Sequence, residues 1–144
     1  MNLESLNPSS REPNKRSDLL TVLCVLTFIG SGLAAFSNLF IYLSYEEMLT
    51  IVDDFEVEIP GFDMMMSGGK RFFITGFILY TFSWAGALQM WKLKKLGFHL
   101  YTGAQIFILL LPVIMIPSYP FSILSLLLTV VFVGGYAINL KFMK

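Results

Sequence analysis

Side chains able to do chemistry are few in this chain, and they fall into two groups. The first is a run of carboxylates, Asp53, Asp54, Glu56 and Glu58, inside a polar stretch spanning 46–70. Hard carboxylate oxygens of this kind can ligate calcium or magnesium. Their spacing does not follow the EF-hand pattern, and no glycine stands at its turn position. The run therefore reads as a solvated acidic face, with no metal site assigned and no cofactor expected.

The second group is four polar side chains set among apolar ones: Gln89, His99, Gln105 and Asn139. Brought together, they would make a small polar cluster for a lipid headgroup or another ligand. The plainer reading is interhelical hydrogen bonding for Gln105 and interfacial placement for the other three. Such bonds contribute about 0.6–2 kcal/mol each in a membrane, enough to be kept for assembly alone. Asn38 is read in the same way.

Catalytic constellations are missing from the sequence. Cys24 and His99 are the only residues of their types, so neither a zinc site nor a thiol–imidazole pair follows from them. Gly68-Gly69-Lys70-Arg71 has the look of a phosphate loop, but Met64 replaces its first glycine and Arg71 its hydroxyl residue. No catalytic residue is assigned, and an enzyme is not expected. The basic residues are too few and too scattered for nucleic acid.

The elements carrying these residues follow from composition. The chain has 144 residues, 56% hydrophobic and only 14% charged, with a mean hydropathy of +0.70. Soluble domains carry about 25% charged residues, so the bilayer is the natural solvent. About 20 residues cross a hydrocarbon core of roughly 30 Å. Spans are predicted over about 19–45, 72–91, 96–116 and 121–140, within a membrane domain of 19–144. The uncharged run after Lys95 would be about 67 Å long as one helix, so it must fold back. Pro117-Ser118-Tyr119-Pro120 is where it does so. Pro112 is expected to kink the third span near its end. A cleaved signal peptide ending near Gly32-Leu33-Ala34 is disfavoured, because the apolar run continues well past it.

Residues 1–18 read as a mobile polar tail. In the insert, Met48, Leu49, Val52 and Phe55 recur at helical spacing, so the first helix should run on or bend along the surface. Phe55-Glu56-Val57-Glu58-Ile59 alternates with period two, which favours extended backbone. Pro60-Gly61 signals a turn, and Ser67-Gly68-Gly69 a flexible lead into the second span. The aromatic set Trp91, Tyr101, Tyr42, Tyr45, Tyr119 and Tyr136 reads as interfacial anchors.

Charge sets the threading. Arg11, Lys15, Arg16, Lys92, Lys94, Lys95, Lys141 and Lys144 fall on one side of four spans, leaving Lys70 and Arg71, two of the ten bases, on the other. The positive-inside rule then puts both termini and the turn of Lys92, Lys94 and Lys95 in the cytoplasm, and the acidic insert outside. Small residues offer close approach between helices: Gly30 with Ala34, Ser31 with Ala35, Thr81 with Ala85, and Ser83 with Ala87. The later spans add Gly97, Gly103 and Ala104, then Ser122, Ser125, Thr129 and Gly134-Gly135.

The turn Trp91-Lys92-Leu93-Lys94-Lys95-Leu96-Gly97-Phe98, followed by a proline-interrupted pair of spans, resembles that of small uncharacterised bacterial four-span integral membrane proteins. The resemblance covers about Phe72 to Leu140 and implies a topology, not an activity. The expectation is an all-α four-helix transmembrane bundle, multi-pass in the cell membrane. Its leading function is an accessory or scaffold role, contacting lipid and either a membrane-protein partner or a second copy. The alternative is an oligomeric permeation or lipid-handling protein working past Gln89, His99, Gln105 and Asn139.

Overall fold

A computed structural model describes residues 16–56 and 58–144. The polar tail, apart from Arg16, Ser17 and Asp18, lies outside the described residues, as do Arg11, Lys15 and Val57. The described chain is all-helical: α1 Asp18–Leu43, α2 Tyr45–Phe55, α3 Phe62–Ser67, α4 Gly69–Trp91, α5 Lys95–Met115 and α6 Ile123–Ile138, closed by a 3-10 turn Asn139–Phe142. Four of these, α1, α4, α5 and α6 with its 3-10 extension, are long and apolar enough to cross a membrane.

Local chemistry explains the boundaries. Ser17 caps α1, its hydroxyl accepting from Leu20 N at 3.1 Å, and Asp18 adds a negative charge where the helix dipole favours one. α4 ends in a Schellman arrangement: Lys94 N donates to Gln89 O at 3.0 Å and Leu93 N to Met90 O at 2.9 Å. The left-handed position this requires is held by Leu93, φ 60°, where glycine would be relaxed. Leu93 is kept there because its side chain packs on the core beside Leu20, Met90 and Met143. The reversal at Pro117–Pro120 uses Ser118 in the same left-handed region.

α4 is the central helix, packed along both α1 and α5, whereas α6 touches α1 and α5 only lightly. Its closest approach is between α4 and α5 at Gly86 and Gly97. A Cβ on Gly97 would stand 2.5 Å from Gly86 O, and one on Gly86 would stand 2.8 Å from Tyr101 N. Backbone meets backbone there, so only hydrogen fits. Gly30, Gly103 and Gly134 have no neighbour within 4 Å, so the Gly30–Ala34 pairing makes no such approach.

The core is concentrated near the lysine turn. Leu20, Leu23, Cys24, Met90, Tyr101, Tyr136 and Met143 form one buried cluster. Tyr101 and Tyr136 are 2% and 0% exposed, and their rings meet edge to face at 4.8 Å. These two tyrosines are therefore core residues and not interfacial anchors, because the hydroxyl of Tyr136 finds a partner inside, Thr27 Oγ1 at 2.8 Å.

The insert makes a second small cluster. Met48, Leu49 and Val52 of α2 pack against Phe62, Met66 and Phe73, and Tyr45 Oη donates to Met66 O at 2.9 Å. Phe55 is 73% exposed and takes no part. The expected extended segment does not form at its start: Phe55 ends α2 and Glu56 turns left-handed, φ 48°. In the lead into α4, Gly69 stands left-handed at φ 69° and Gly68 lies against Phe72 and Ile116. α4 then starts at Gly69, so Lys70 and Arg71 form its first turn.

Candidate functional site

Because α6 is held at one end only, space remains beside it. Near the lysine turn, Gly135 takes the side chain of Leu23, Tyr136 bonds Thr27, and Asn139 Oδ1 accepts from Ser17 Oγ. Toward Ile123 the helix is exposed almost throughout. The gap between it and α1, α4 and α5 is a cavity of about 770 Å³, within the roughly 300–1,000 Å³ of small-molecule sites.

The walls of this cavity are amphiphilic. Along α1, Thr27, Ser31 and Asn38 share a face at helical spacing; across from them α6 presents Ser122, Ser125, Thr129 and Phe132. The apolar share comes from residues such as Leu26, Ile41, Leu109 and Leu128. No Asp, Glu, Lys, Arg or His lines it. At mid-depth a short polar chain joins three helices: Ser31 and Ser83 hydroxyls lie 2.9 Å apart, and Gln105 Nε2 donates to Ser83 Oγ at 3.0 Å. One N–H of the amide is thereby used, and its carbonyl oxygen is left as an acceptor on the cavity wall. Pro112, inside α5, has no N–H to give Ile108 O, which adds a backbone acceptor on the same wall.

The cavity is partly open, with exposed Leu26, Val113 and Leu128 in its lining. Its floor is the Thr27–Tyr136 bond and the Tyr101 ring; below lie Leu20, Leu23, Cys24 and Met90, at most 7% exposed. Its other end is bordered by Gly61, Met64 and Met65 of the α3 region and by Tyr119. Met66 is buried beneath them, while Met64 and Met65 are exposed.

The four polar residues singled out in the sequence are not brought together. Gln105 alone lines the cavity. Asn139 lies beyond the apolar floor, donating to Gly135 O at 2.7 Å and accepting from Ser17. His99 is exposed near the start of α5. Gln89 is wedged at the α4–α5 crossing, its Cβ 2.7 Å from where a Cβ on Gly97 would be. Its Oε1 is buried without a hydrogen-bond partner among the described residues. Asp53 and Asp54 are exposed on α2, and among the described residues no group of three His, Cys, Asp or Glu side chains is placed to hold a metal.

Sequence reasoning assigned Ser122, Ser125 and Thr129 to helix contacts and passed over Thr27 and Tyr80, which also line the cavity. The signal was there in two hydroxyl-bearing faces, one on α1 and one on α6. It lacked only the knowledge that these helices face each other across a gap. Compared with known proteins, the chain matches no protein family, no curated protein and no solved structure.

Proposed function

We propose that this chain is a small, non-enzymatic multi-pass protein of the cell membrane that holds an uncharged amphiphile in the cavity beside α6. The observation that carries the reading is a partly open, charge-free cavity with hydroxyl and amide groups at mid-depth and apolar walls around them. An ionised headgroup taken to that depth would lose its hydration with no countercharge to offset it. A neutral ligand bearing hydroxyl or carbonyl groups keeps its hydrogen bonds at Ser31 and Gln105, which line the cavity, and leaves its chain among the leucines. The lysine turn faces the cytoplasm and the acidic insert faces outward, so the cavity opens toward the outer leaflet.

This is the lipid-handling alternative with a different residue set: Gln105 is kept, and Gln89, His99 and Asn139 have other neighbours. The test is equilibrium binding of a fluorescent diacylglycerol to the purified full chain in neutral detergent. Thr129→Trp fills the cavity and is expected to weaken binding about tenfold or more, the scale of a lost buried apolar contact plus a steric clash. Unchanged binding in that variant, and in Gln105→Leu, contradicts the reading.

A scaffold role, with a membrane-protein partner or a second copy, is the second reading. It is favoured by Gly134, which lies outside the cavity and whose face meets nothing within 4 Å, open to close helix approach. Cross-linking in native membranes that recovers no protein neighbour counts against it.

A further inference from the structure

The end of the bundle opposite the cavity mouth gathers charge that is far apart in sequence. Lys144 N donates to Leu93 O at 2.7 Å, and Lys95 N donates to Lys144 O at 2.8 Å, so the last residue is clasped to the lysine turn by its backbone. The clasp brings the backbones of Lys94, Lys95 and Lys144 together and leaves their side chains exposed, as are those of Lys92 and Lys141. Arg16 joins from the start of α1, its guanidinium 3.7 Å above the Trp91 ring and bonded to Trp91 O at 3.5 Å. Among the described residues, six basic side chains are gathered there with a single acidic side chain, Asp18, and with the carboxyl oxygen of Lys144 that accepts from Lys95 N. The other acids among the described residues all belong to the insert.

Apolar surface continues directly from this charge. Leu96 follows Lys95 and is 67% exposed; Ile138, one turn before Phe142, is 64% exposed. Lys141 Nζ stands 5.1 Å over the Phe142 ring. Cations at the rim of a bilayer-spanning surface, with aliphatic and aromatic groups immediately below, match a ligand whose anion and hydrocarbon are joined in the same order. A nucleic acid or an acidic peptide would leave that apolar half unused.

We propose that the clasped basic end is a binding site for the phosphodiester of an anionic phospholipid, with Lys94, Lys95 and Lys144 contacting the phosphate and the acyl chains lying along Leu96 and Ile138. The lysine turn thus has a ligand as well as a topological role. The strained left-handed Leu93 is part of the device, because its carbonyl is the acceptor that holds Lys144 in place.

The experiment is titration of the purified full chain, in neutral detergent, with phosphatidylglycerol, phosphatidylcholine and inorganic pyrophosphate in parallel, read by thermal unfolding and by lipid retained in native mass spectrometry. Phosphatidylglycerol is expected to raise the unfolding temperature saturably, and the effect should shrink as salt is raised. Each lysine near an anionic lipid surface contributes roughly fivefold in binding. Lys94→Gln/Lys95→Gln/Lys144→Gln changes side chains and not the backbone clasp, and should weaken retention by about tenfold or more. If that triple variant does not fold, Lys141→Gln/Lys144→Gln at the end of the chain gives the same readout with a smaller loss. An equal shift with phosphatidylcholine, or wild-type retention in the folded variant, overturns the site. An equal shift with pyrophosphate overturns the lipid as its source.

Discussion

Single atoms decide where this bundle tolerates change. Gly97 and Gly86 hold the α4–α5 crossing at backbone contact, so Gly97→Ala is expected to destabilise by about 1–3 kcal/mol through overpacking. Gly30→Ala, whose new methyl group meets open space, should cost nothing measurable. Unfolding in mixed micelles by a denaturing detergent compares the two; similar losses would mean that the crossing is looser than described. Ser83 is the middle of a polar chain reaching Ser31 and Gln105. Ser83→Ala is expected to cost about 0.6–2 kcal/mol in the same assay, the range for interhelical hydrogen bonds. At this scale the sequence was only partly legible. Gly97 was marked as a small residue, but its partner Gly86 was not, since nothing local distinguishes it from the other glycines in apolar helices. Tyr101 and Tyr136 sit near span ends, where tyrosine ordinarily anchors at the interface. Only the three-dimensional pairing of their rings, and of Tyr136 with Thr27, makes them core.

Among the elements, α6 is the one whose sequence misleads. It is the most uniformly apolar helix, which suggests a well-buried member of the bundle. Most of its apolar residues instead face outward, as they do on a lipid-exposed helix, and its hydroxyl face, with Leu128 and Phe132, lines the cavity. The insert taught the opposite lesson. Helical spacing in Met48, Leu49 and Val52 matches α2, whereas the period-two pattern from Phe55 is too short to override the helix, which takes in Phe55 and ends on a left-handed Glu56. The cavity makes an element-level prediction. In a Cys24→Ala background, Ser125→Cys is expected to react with a membrane-impermeant thiol reagent added from the insert side. Val133→Cys, beside the apolar floor, is expected to stay unreacted. Reaction at both positions would mean a continuous path and a channel-like reading.

The division of labour along the bundle axis gives the account its shape. One end is locked by core residues, a backbone clasp and Arg16 on Trp91; the other is loosely held around a cavity. The all-helical architecture and its four long apolar helices were readable from charge-free runs and from the proline pair, because hydrophobic length and helix-breaking chemistry act locally. The cavity was not readable, since it depends on how lightly α6 meets its neighbours. Orientation is tested by replacing Lys92, Lys94 and Lys95 with Gln in reporter fusions at either end. A mixed topology is expected, and an unchanged one would assign orientation to the tails.

The most direct measurement concerns the cavity. A diacylglycerol carrying a photoactivatable group at mid-chain would be incorporated with the full chain into vesicles, irradiated, and the adducts mapped by peptide sequencing. Adducts concentrated on cavity residues such as Thr129, Leu109 and Ile41, and lost in Thr129→Trp, are the result expected. Adducts confined to the outward residues Leu127, Val130 and Val131, and unaffected by that substitution, would show a protein merely bathed in lipid and contradict the account.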